Sequence, residues 1–163
     1  MKACFIGHKS INKTEELATR VKDTALMLIK KGVTTFLFGS GSEFDTLSWE
    51  IITELKKKYS HIKRVYIRAN DQFLEKSYEE YLLKIYEETY FPRWIENAGK
   101  YSYVERNYEM INEATYCVFY YNENYSPTVK RVCFCVPSKR KSGTKIAYEY
   151  ALKKGKYILN VYR

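Results

Sequence analysis

Short apolar runs alternate with longer amphipathic segments along most of the chain. Each run is four to six residues long, is rich in β-branched or aromatic side chains, and is typical of a strand buried in a sheet. The runs lie at residues 2–6, 35–38, 64–67, 116–121 and 157–161. A further run at residues 132–136 predicts an additional strand at the edge of the sheet.

The segments between these runs repeat apolar residues every three or four positions, as one face of a helix requires. In the first segment Leu17, Val21 and Leu28 form one stripe, and Gly32 follows as a C-terminal stop. Helices are predicted over residues 13–31, 44–58, 73–88, 103–114 and 143–154, and a loop over 90–103. This alternation predicts one α/β domain over residues 1–163, a three-layer, Rossmann-like fold with a mostly parallel sheet and helices on both faces.

Glycine turns follow the first two predicted strands. Gly7 ends the first strand, while Gly39 and Gly41 connect the second strand to a helix that starts near Phe44. We expect these glycines at the carboxyl edge of the sheet, where α/β proteins bind ligands, with positive φ angles at Gly39 and Gly41. The N–H groups of the following helix favour a phosphate or carboxylate there. The other interpretation is that these glycines only make a tight connection.

Neither of the two common phosphate-binding motifs is complete at this turn. A dinucleotide fingerprint requires a third glycine where Phe44 stands, and a P-loop requires a Gly-Lys-Ser/Thr sequence that is absent from the turn. The turn alone therefore predicts an anion site without naming the ligand.

The net charge of +9 is concentrated at one end of the sequence. Residues 126–163 contain ten Lys or Arg and one acid, Glu149, whereas residues 1–125 contain 18 basic and 18 acidic residues. A basic segment of this kind indicates either a solvated surface that aids solubility or an anionic partner, which would be a nucleotide or a nucleic acid.

Composition also sets expectations about the surroundings of the protein. No apolar run approaches the ~20 residues that cross a bilayer, and the start of the sequence does not resemble a signal peptide, so we expect a cytoplasmic protein without a membrane partner. The four cysteines form no C-x-x-C pair. We therefore expect buried free thiols and no metal site.

Three segments together resemble the SLOG superfamily, which includes DNA-processing protein A, the Lonely Guy phosphoribohydrolases and short bacterial and phage proteins. They are CFIGHKSI, then FLFGSGSEFDTLSWEII, and finally YVERNYEMINEATYCVFYY with SGTKIAYEYALKKGKYILNVY. The chain departs from the family pattern at Lys9, which replaces an arginine, and at Glu43 and Ser142, which replace glycines.

The resemblance implies a Rossmann-like fold whose glycine turns hold the phosphate and ribose of a nucleotide, with no cofactor required. Gly143 and Thr144 would donate to the phosphate, Arg106 would pair with it, and Asn107 would orient the ribose or a loop. Arg106 and Asn107 could equally be a surface arginine and a structural cap. The predicted ligand-binding residues are Gly7, His8, Lys9, Gly39, Ser40, Gly41, Asp45, Arg106, Asn107, Ser142, Gly143 and Thr144.

Catalysis is a separate question, because the carboxylate of the Lonely Guy motif is missing. The residue three positions after Thr144 is Ala147, and the nearest acid on that helix is Glu149. Asp45 and Glu149 are therefore the candidate catalytic residues. His8 could assist with acid–base chemistry or could be a hydrogen-bonding residue of its loop.

Three functions stay open on the sequence. The leading hypothesis is a nucleotide-binding or nucleotide-sensing domain, with an ADP-ribose-type metabolite as one candidate ligand. The second is an N-glycosidic nucleotide hydrolase of Lonely Guy type, and the third is a single-stranded nucleic-acid-binding protein. The resemblance also implies that the chain could form homo-oligomers.

Overall fold

A parallel β-sheet forms the centre of the computed structural model, which describes residues 1–69, 76–125 and 141–163. Its six strands in these ranges are arranged in the order β4-β3-β2-β1-β5-β6, and every neighbouring pair is parallel. The strands are β1 (Lys2–Gly7), β2 (Thr35–Phe38), β3 (Lys63–Ile67), β4 (Glu88–Tyr90), β5 (Tyr116–Tyr120) and β6 (Tyr157–Asn160). The predicted three-layer α/β fold is confirmed.

Five helices in the described ranges connect the strands and cover both faces of the sheet. They are α1 (Glu15–Lys30), α2 (Glu43–Lys58), α3 (Lys76–Leu83), α4 (Ser102–Glu113) and α5 (Gly143–Lys153). Along β1, Ala3 and Phe5 pack into the core cluster that contains α1 and α2. Cys4 and Ile6 pack into the cluster that contains α4 and α5. This alternation is the period of two that a strand buried on both faces shows.

The strand order places a topological switch point beside β1. The chain runs from β1 to β2 on one side, and β5 pairs with β1 on the other side. In sheets of this kind the crevice for a ligand lies outside the carboxyl ends of the strands at that point. The turns after β1 and β2 therefore lie at the edge of the sheet where the sequence predicts a ligand site.

Helix caps explain where three of the helices begin. The side chains of Thr14, Ser42 and Ser142 accept hydrogen bonds from the backbone N–H groups three residues later, at the starts of α1, α2 and α5. After α1, Gly32 has a φ of 87°, the left-handed conformation that commonly ends a helix.

The region between α3 and α4 differs from its prediction. The sequence pattern predicts a helix up to residue 88, but α3 ends at Leu83, and β4 then pairs with β3. Arg64 fixes the start of this pairing through hydrogen bonds from its backbone N–H and its Nη2 to the Glu87 carboxylate, both of 2.7 Å. The expected loop over 90–103 contains two 3-10 turns, Arg93–Ile95 and Gly99–Tyr101. The strand expected at 132–136 lies outside the described residues.

Two of the four cysteines lie in the described ranges, and both are buried free thiols as expected. Cys4 on β1 pairs in register with Cys117 on β5. Burial in the sheet raises the pKa of the Cys4 thiol well above its ordinary value. Cys133 and Cys135 lie outside the described residues.

Candidate functional site

A cavity of about 690 Å³ opens at the carboxyl edge of the sheet, and we call it the edge cavity. Its walls come from the turns after β1 and β2, from α4, and from the start of α5. It is lined by Phe5, Ile6, Gly7, His8, Lys9, Ser10, Ser40, Gly41, Ser42, Tyr103, Arg106, Asn107, Tyr125, Ser142, Gly143 and Thr144. The fold thus brings together the predicted ligand-binding residues, with the exception of Gly39 and Asp45.

Two helix N-termini meet at the edge cavity. Ser42 caps α2 by accepting from the Asp45 N–H at 3.1 Å, and Ser142 caps α5 by accepting from the Lys145 N–H at 3.1 Å. The N–H groups of the first turn have no acceptor within their own helix, so Gly143 and Thr144 offer donors to a ligand. The positive ends of both helix dipoles favour an anion in the same space.

Arg106 adds a buried positive charge to this cavity. Only 3% of the residue is exposed, and its Nη1 donates to the backbone carbonyl of Gly39. Its Nε donates to the Asn107 side-chain oxygen at 3.1 Å. Burial lowers the pKa of the guanidinium, and the nearby Asp45 acts in the opposite direction. The guanidinium is thus held by two acceptors, and because it is buried, its attraction for an anion would be stronger than that of an exposed arginine.

Close packing, rather than backbone conformation, explains Gly39 at this edge. The expectation of positive φ angles at Gly39 and Gly41 is wrong, because among the described glycines only Gly32, Gly99 and Gly155 have them. A Cβ atom on Gly39 would lie 2.7 Å from Arg106 Cδ and 2.8 Å from the Ile67 carbonyl oxygen. The space at Gly39 is therefore needed for Arg106.

Gly7 and Gly41 have different surroundings. A Cβ atom on Gly7 would lie 2.5 Å from the Phe44 ring, so β1 and the start of α2 approach each other closely at that point. A Cβ atom on Gly41 or on Gly143 would meet no described atom within 4 Å. These two glycines leave open space at the wall of the edge cavity.

Asp45 lies behind the edge cavity rather than in its lining. The residue is 4% exposed and lines a second cavity of about 360 Å³. Burial raises the pKa of its carboxyl to about 7, although Arg106 and the polar groups of Gly39 and Ser40 lower it in part. Its Oδ1 atom is buried and has no hydrogen-bond partner among the described residues. Asp45 is therefore not positioned to contact a ligand in the edge cavity directly.

His8 has the surroundings of a hydrogen-bonding loop residue. It is 1% exposed, and its Nε2 accepts a hydrogen bond from the Asn122 N–H at 2.9 Å. Its ring stacks on Tyr125 with centroids 3.8 Å apart and an interplanar angle of 16°. Burial lowers the pKa of the imidazole. Nε2 also lies 3.2 Å from the Asn122 carbonyl oxygen, and Nδ1 is buried without a partner in the described structure.

Glu149 does not reach the edge cavity. Its carboxylate pairs with Lys141 at 2.7 Å on an exposed surface of α5. Glu50, an acid on α2, pairs with Lys13 at 3.2 Å, also on the surface. In the part of the chain that the structure describes, no carboxylate lines the edge cavity.

Sequence reasoning missed several residues of the site. Ser42 could have been found, because a serine three positions before an acid at the start of a helix is a capping signal. Tyr103 lies one helical turn before Arg106, and the Arg106 guanidinium carbon is 5.8 Å from the centre of its ring. Tyr125 gave no signal, since its contact with His8 joins residues 117 positions apart in sequence.

Glu43 has a local role at this edge. Its carboxylate accepts from the Ile11 N–H, and its own N–H donates to the Lys9 carbonyl, both at 2.9 Å. These two bonds attach the loop after β1 to the start of α2. Glu43 therefore stabilises the wall of the cavity.

Comparisons with known proteins do not add to this description: the chain matches no family model, and a search of curated proteins finds no significant match. Within residues 1–69, 76–125 and 141–163, no three His, Cys, Asp or Glu side chains are grouped as metal ligands would be. Across the same ranges, no helix has the length and apolar character needed to span a bilayer.

Proposed function

We propose that this protein binds a nucleotide through its phosphate, which occupies the edge cavity. The observation that most supports this is the convergence of the α2 and α5 N-termini on a cavity that also contains the buried Arg106. Backbone N–H groups at a helix start and a planar guanidinium are two common means by which proteins hold phosphate. The resemblance of the glycine turns to the SLOG superfamily favours the same ligand class.

The size and charge of the edge cavity suit such a ligand. Its volume of about 690 Å³ falls within the range of roughly 300–1,000 Å³ that small-molecule sites occupy. Lys9 adds a further cation to the lining. With cations and helix N-termini and no described carboxylate in the wall, the cavity selects for negative charge.

The site favours binding of the nucleotide without its hydrolysis. Cleavage of an N-glycosidic bond needs a carboxylate beside the developing positive charge of the sugar. Of the two candidate acids, Glu149 is paired with Lys141 at the surface. Asp45 is buried, and burial raises the pKa of its carboxyl to about 7, so it carries a full negative charge only above neutral pH. We infer that the protein senses or sequesters its nucleotide.

Calorimetric titration of the purified chain with AMP, ADP-ribose, ribose 5-phosphate and adenosine tests this proposal. The three phosphate-bearing compounds should bind, and adenosine should bind at least about tenfold more weakly. Gly143→Val should remove binding, because its side chain enters open space in the cavity without a clash in the described structure. Glu15→Val places the same side chain at the exposed start of α1 and should leave binding unchanged.

The other two functions would give different results. Release of free base from AMP during incubation would overturn the binding function in favour of a hydrolase. Affinity for single-stranded DNA that exceeds nucleotide affinity and falls by orders of magnitude between about 50 and 200 mM salt would indicate a nucleic-acid-binding protein. Equal binding of AMP and adenosine would show that the phosphate is not recognised.

A further inference from the structure

Five of the ten described residues that line the second cavity, of about 360 Å³, are aromatic, and we call it the aromatic cavity. Trp49 on α2, Tyr66 on β3 and Tyr86 after α3 form a contiguous group. The centroids of Tyr66 and Tyr86 are 5.1 Å apart, and those of Trp49 and Tyr86 are 6.3 Å apart. Tyr81, which is 56% exposed, also lines the cavity. Aromatic walls of this kind are surfaces on which a planar ring can stack.

Two polar atoms of the same cavity lack partners. Asp45 Oδ1 and Trp49 Nε1 are both buried and make no hydrogen bond with the described structure. The two residues are four positions apart on α2 and so lie on one face of that helix. Buried polar atoms without partners are rare in proteins, and here an acceptor and a donor occur together at the wall of a cavity.

The aromatic cavity adjoins the edge cavity. Ser40 lines both of them. Ser42, in the lining of the edge cavity, accepts a hydrogen bond at 3.1 Å from the backbone N–H of Asp45, in the lining of the aromatic cavity. A ligand with its phosphate at the helix N-termini could therefore extend past Ser40 into the aromatic cavity.

We propose that the aromatic cavity binds the base of the nucleotide. The base stacks on the tyrosine rings, Trp49 Nε1–H donates to a ring nitrogen or carbonyl, and the Asp45 carboxyl accepts from a ring or amino N–H. A nucleobase edge presents this pair of groups. A quaternary ammonium ion, the other common ligand of aromatic cavities, offers neither an N–H for Asp45 nor an acceptor for Trp49.

Both polar atoms are shielded from solvent, so a ring in the wall turns as the base enters. Tyr81 is suited to this movement, since more than half of the residue is exposed and it lies on the short helix α3, and its ring then packs on the bound base. This inference rests on the proposed function, since it assigns the second half of the same ligand.

Titrations of the protein with AMP and with ribose 5-phosphate test the proposed base site, because only AMP carries a base. We expect AMP to bind about tenfold or more tightly than ribose 5-phosphate, as stacking on aromatic side chains provides. Tyr81→Ala should weaken AMP binding about fivefold or more and leave ribose 5-phosphate unchanged. The matched control is Tyr101→Ala, which removes a ring that is 58% exposed and lines neither cavity.

The fluorescence of Trp49 reports whether the base lies in the aromatic cavity. In a Trp94→Phe background Trp49 is the one remaining tryptophan of the sequence, and AMP but not ribose 5-phosphate should change its emission. If both compounds bind equally and leave the emission unchanged, the base site is wrong and the phosphate site stands. If neither compound binds, both proposals fail.

Discussion

Arg106 on α4 donates a hydrogen bond to the backbone carbonyl of Gly39, the first residue after β2. This bond crosses from one layer of the fold to the sheet edge and places a buried guanidinium beside the edge cavity. A glycine is required at position 39 because the arginine side chain and the Ile67 carbonyl occupy the space of a Cβ atom. Substitutions at Gly39 and Arg106 should therefore change stability or ligand affinity. The buried groups Asp45 and His8 should make stability depend on pH.

Gly39→Ala should destabilise the fold and weaken nucleotide binding. The new methyl group would lie 2.8 Å from the Ile67 carbonyl oxygen, a backbone atom that cannot move independently of β3. Overpacking of this kind costs roughly 1–3 kcal/mol of unfolding free energy, measurable by urea denaturation. Gly41→Ala is the control, because it meets no described atom within 4 Å and should leave stability nearly unchanged. Equal stability of the two variants would contradict this explanation of Gly39.

Arg106→Met should reduce affinity for AMP by about ten- to a hundredfold. Methionine retains much of the buried apolar stem, whereas the charge-assisted hydrogen bonds, worth roughly 1.5–3 kcal/mol each, are lost. Arg93→Met removes the same charge from an exposed position in a 3-10 turn outside the cavity and should bind AMP as the wild type does. Calorimetry measures both. A comparable loss in the two variants would mean that net charge, rather than the position of Arg106, attracts the ligand.

Asp45 should make the protein less stable as the pH rises from about 4 to about 7. Burial raises the pKa of this carboxyl from 3.8 to about 7. Between these values the folded chain keeps a proton that the unfolded chain loses. The contribution of the protonated carboxyl to the free energy of unfolding is therefore complete below the unfolded pKa and is lost as the pH rises through the folded pKa. The change is about 4 kcal/mol over the interval.

Asp45→Asn should remove this pH dependence, because an amide does not titrate. The difference in unfolding free energy between wild type and variant, measured by urea denaturation at pH 4.5, 6 and 8, isolates the contribution of Asp45 from those of other groups. A difference that is constant across the three pH values would show that the Asp45 carboxyl is ionised throughout.

His8 should contribute a pH dependence of the opposite sign. Burial lowers the pKa of its imidazole from 6.5, so below that pH the unfolded chain binds a proton that the folded chain does not. Stability provided by the neutral ring is therefore present above pH 6.5 and is lost as the pH falls towards the folded pKa.

Thermal unfolding between pH 7.5 and pH 5 measures this effect. His8→Gln should fall less in melting temperature over that range than the wild type does. His61→Gln, which changes the other histidine of the chain at an exposed position, should follow the wild-type profile. If His61→Gln flattens the profile and His8→Gln does not, the buried imidazole is not the group responsible.

The main elements of the fold could be predicted because their signals are local. The apolar run before Gly39 located β2 at its observed limits. Apolar residues at helical spacing located α1, α2, α4 and α5 to within two residues of their observed ends. The strand β4 was missed because it has three residues, Glu88–Tyr90, and only Thr89 among them is buried. Its place in the sheet depends on pairing with β3 rather than on its own pattern.

The part of the candidate site that lies at the strand ends could be predicted from the sequence. Residues after β1 and β2 and at the start of α5 meet because parallel strands end at one edge. The reason for Gly39 was not predictable, since it depends on the packing of Arg106 from a distant helix. The aromatic cavity likewise combines residues of α2, β3 and the segment around α3, which no single motif connects.

A crystal structure of the chain grown with AMP tests the central claim most directly. We predict that the phosphate lies in the edge cavity, within hydrogen-bond distance of the Gly143 and Thr144 N–H groups and of the Arg106 guanidinium. A phosphate located elsewhere on the molecule, or the edge cavity filled by solvent at saturating AMP, would contradict the proposed function.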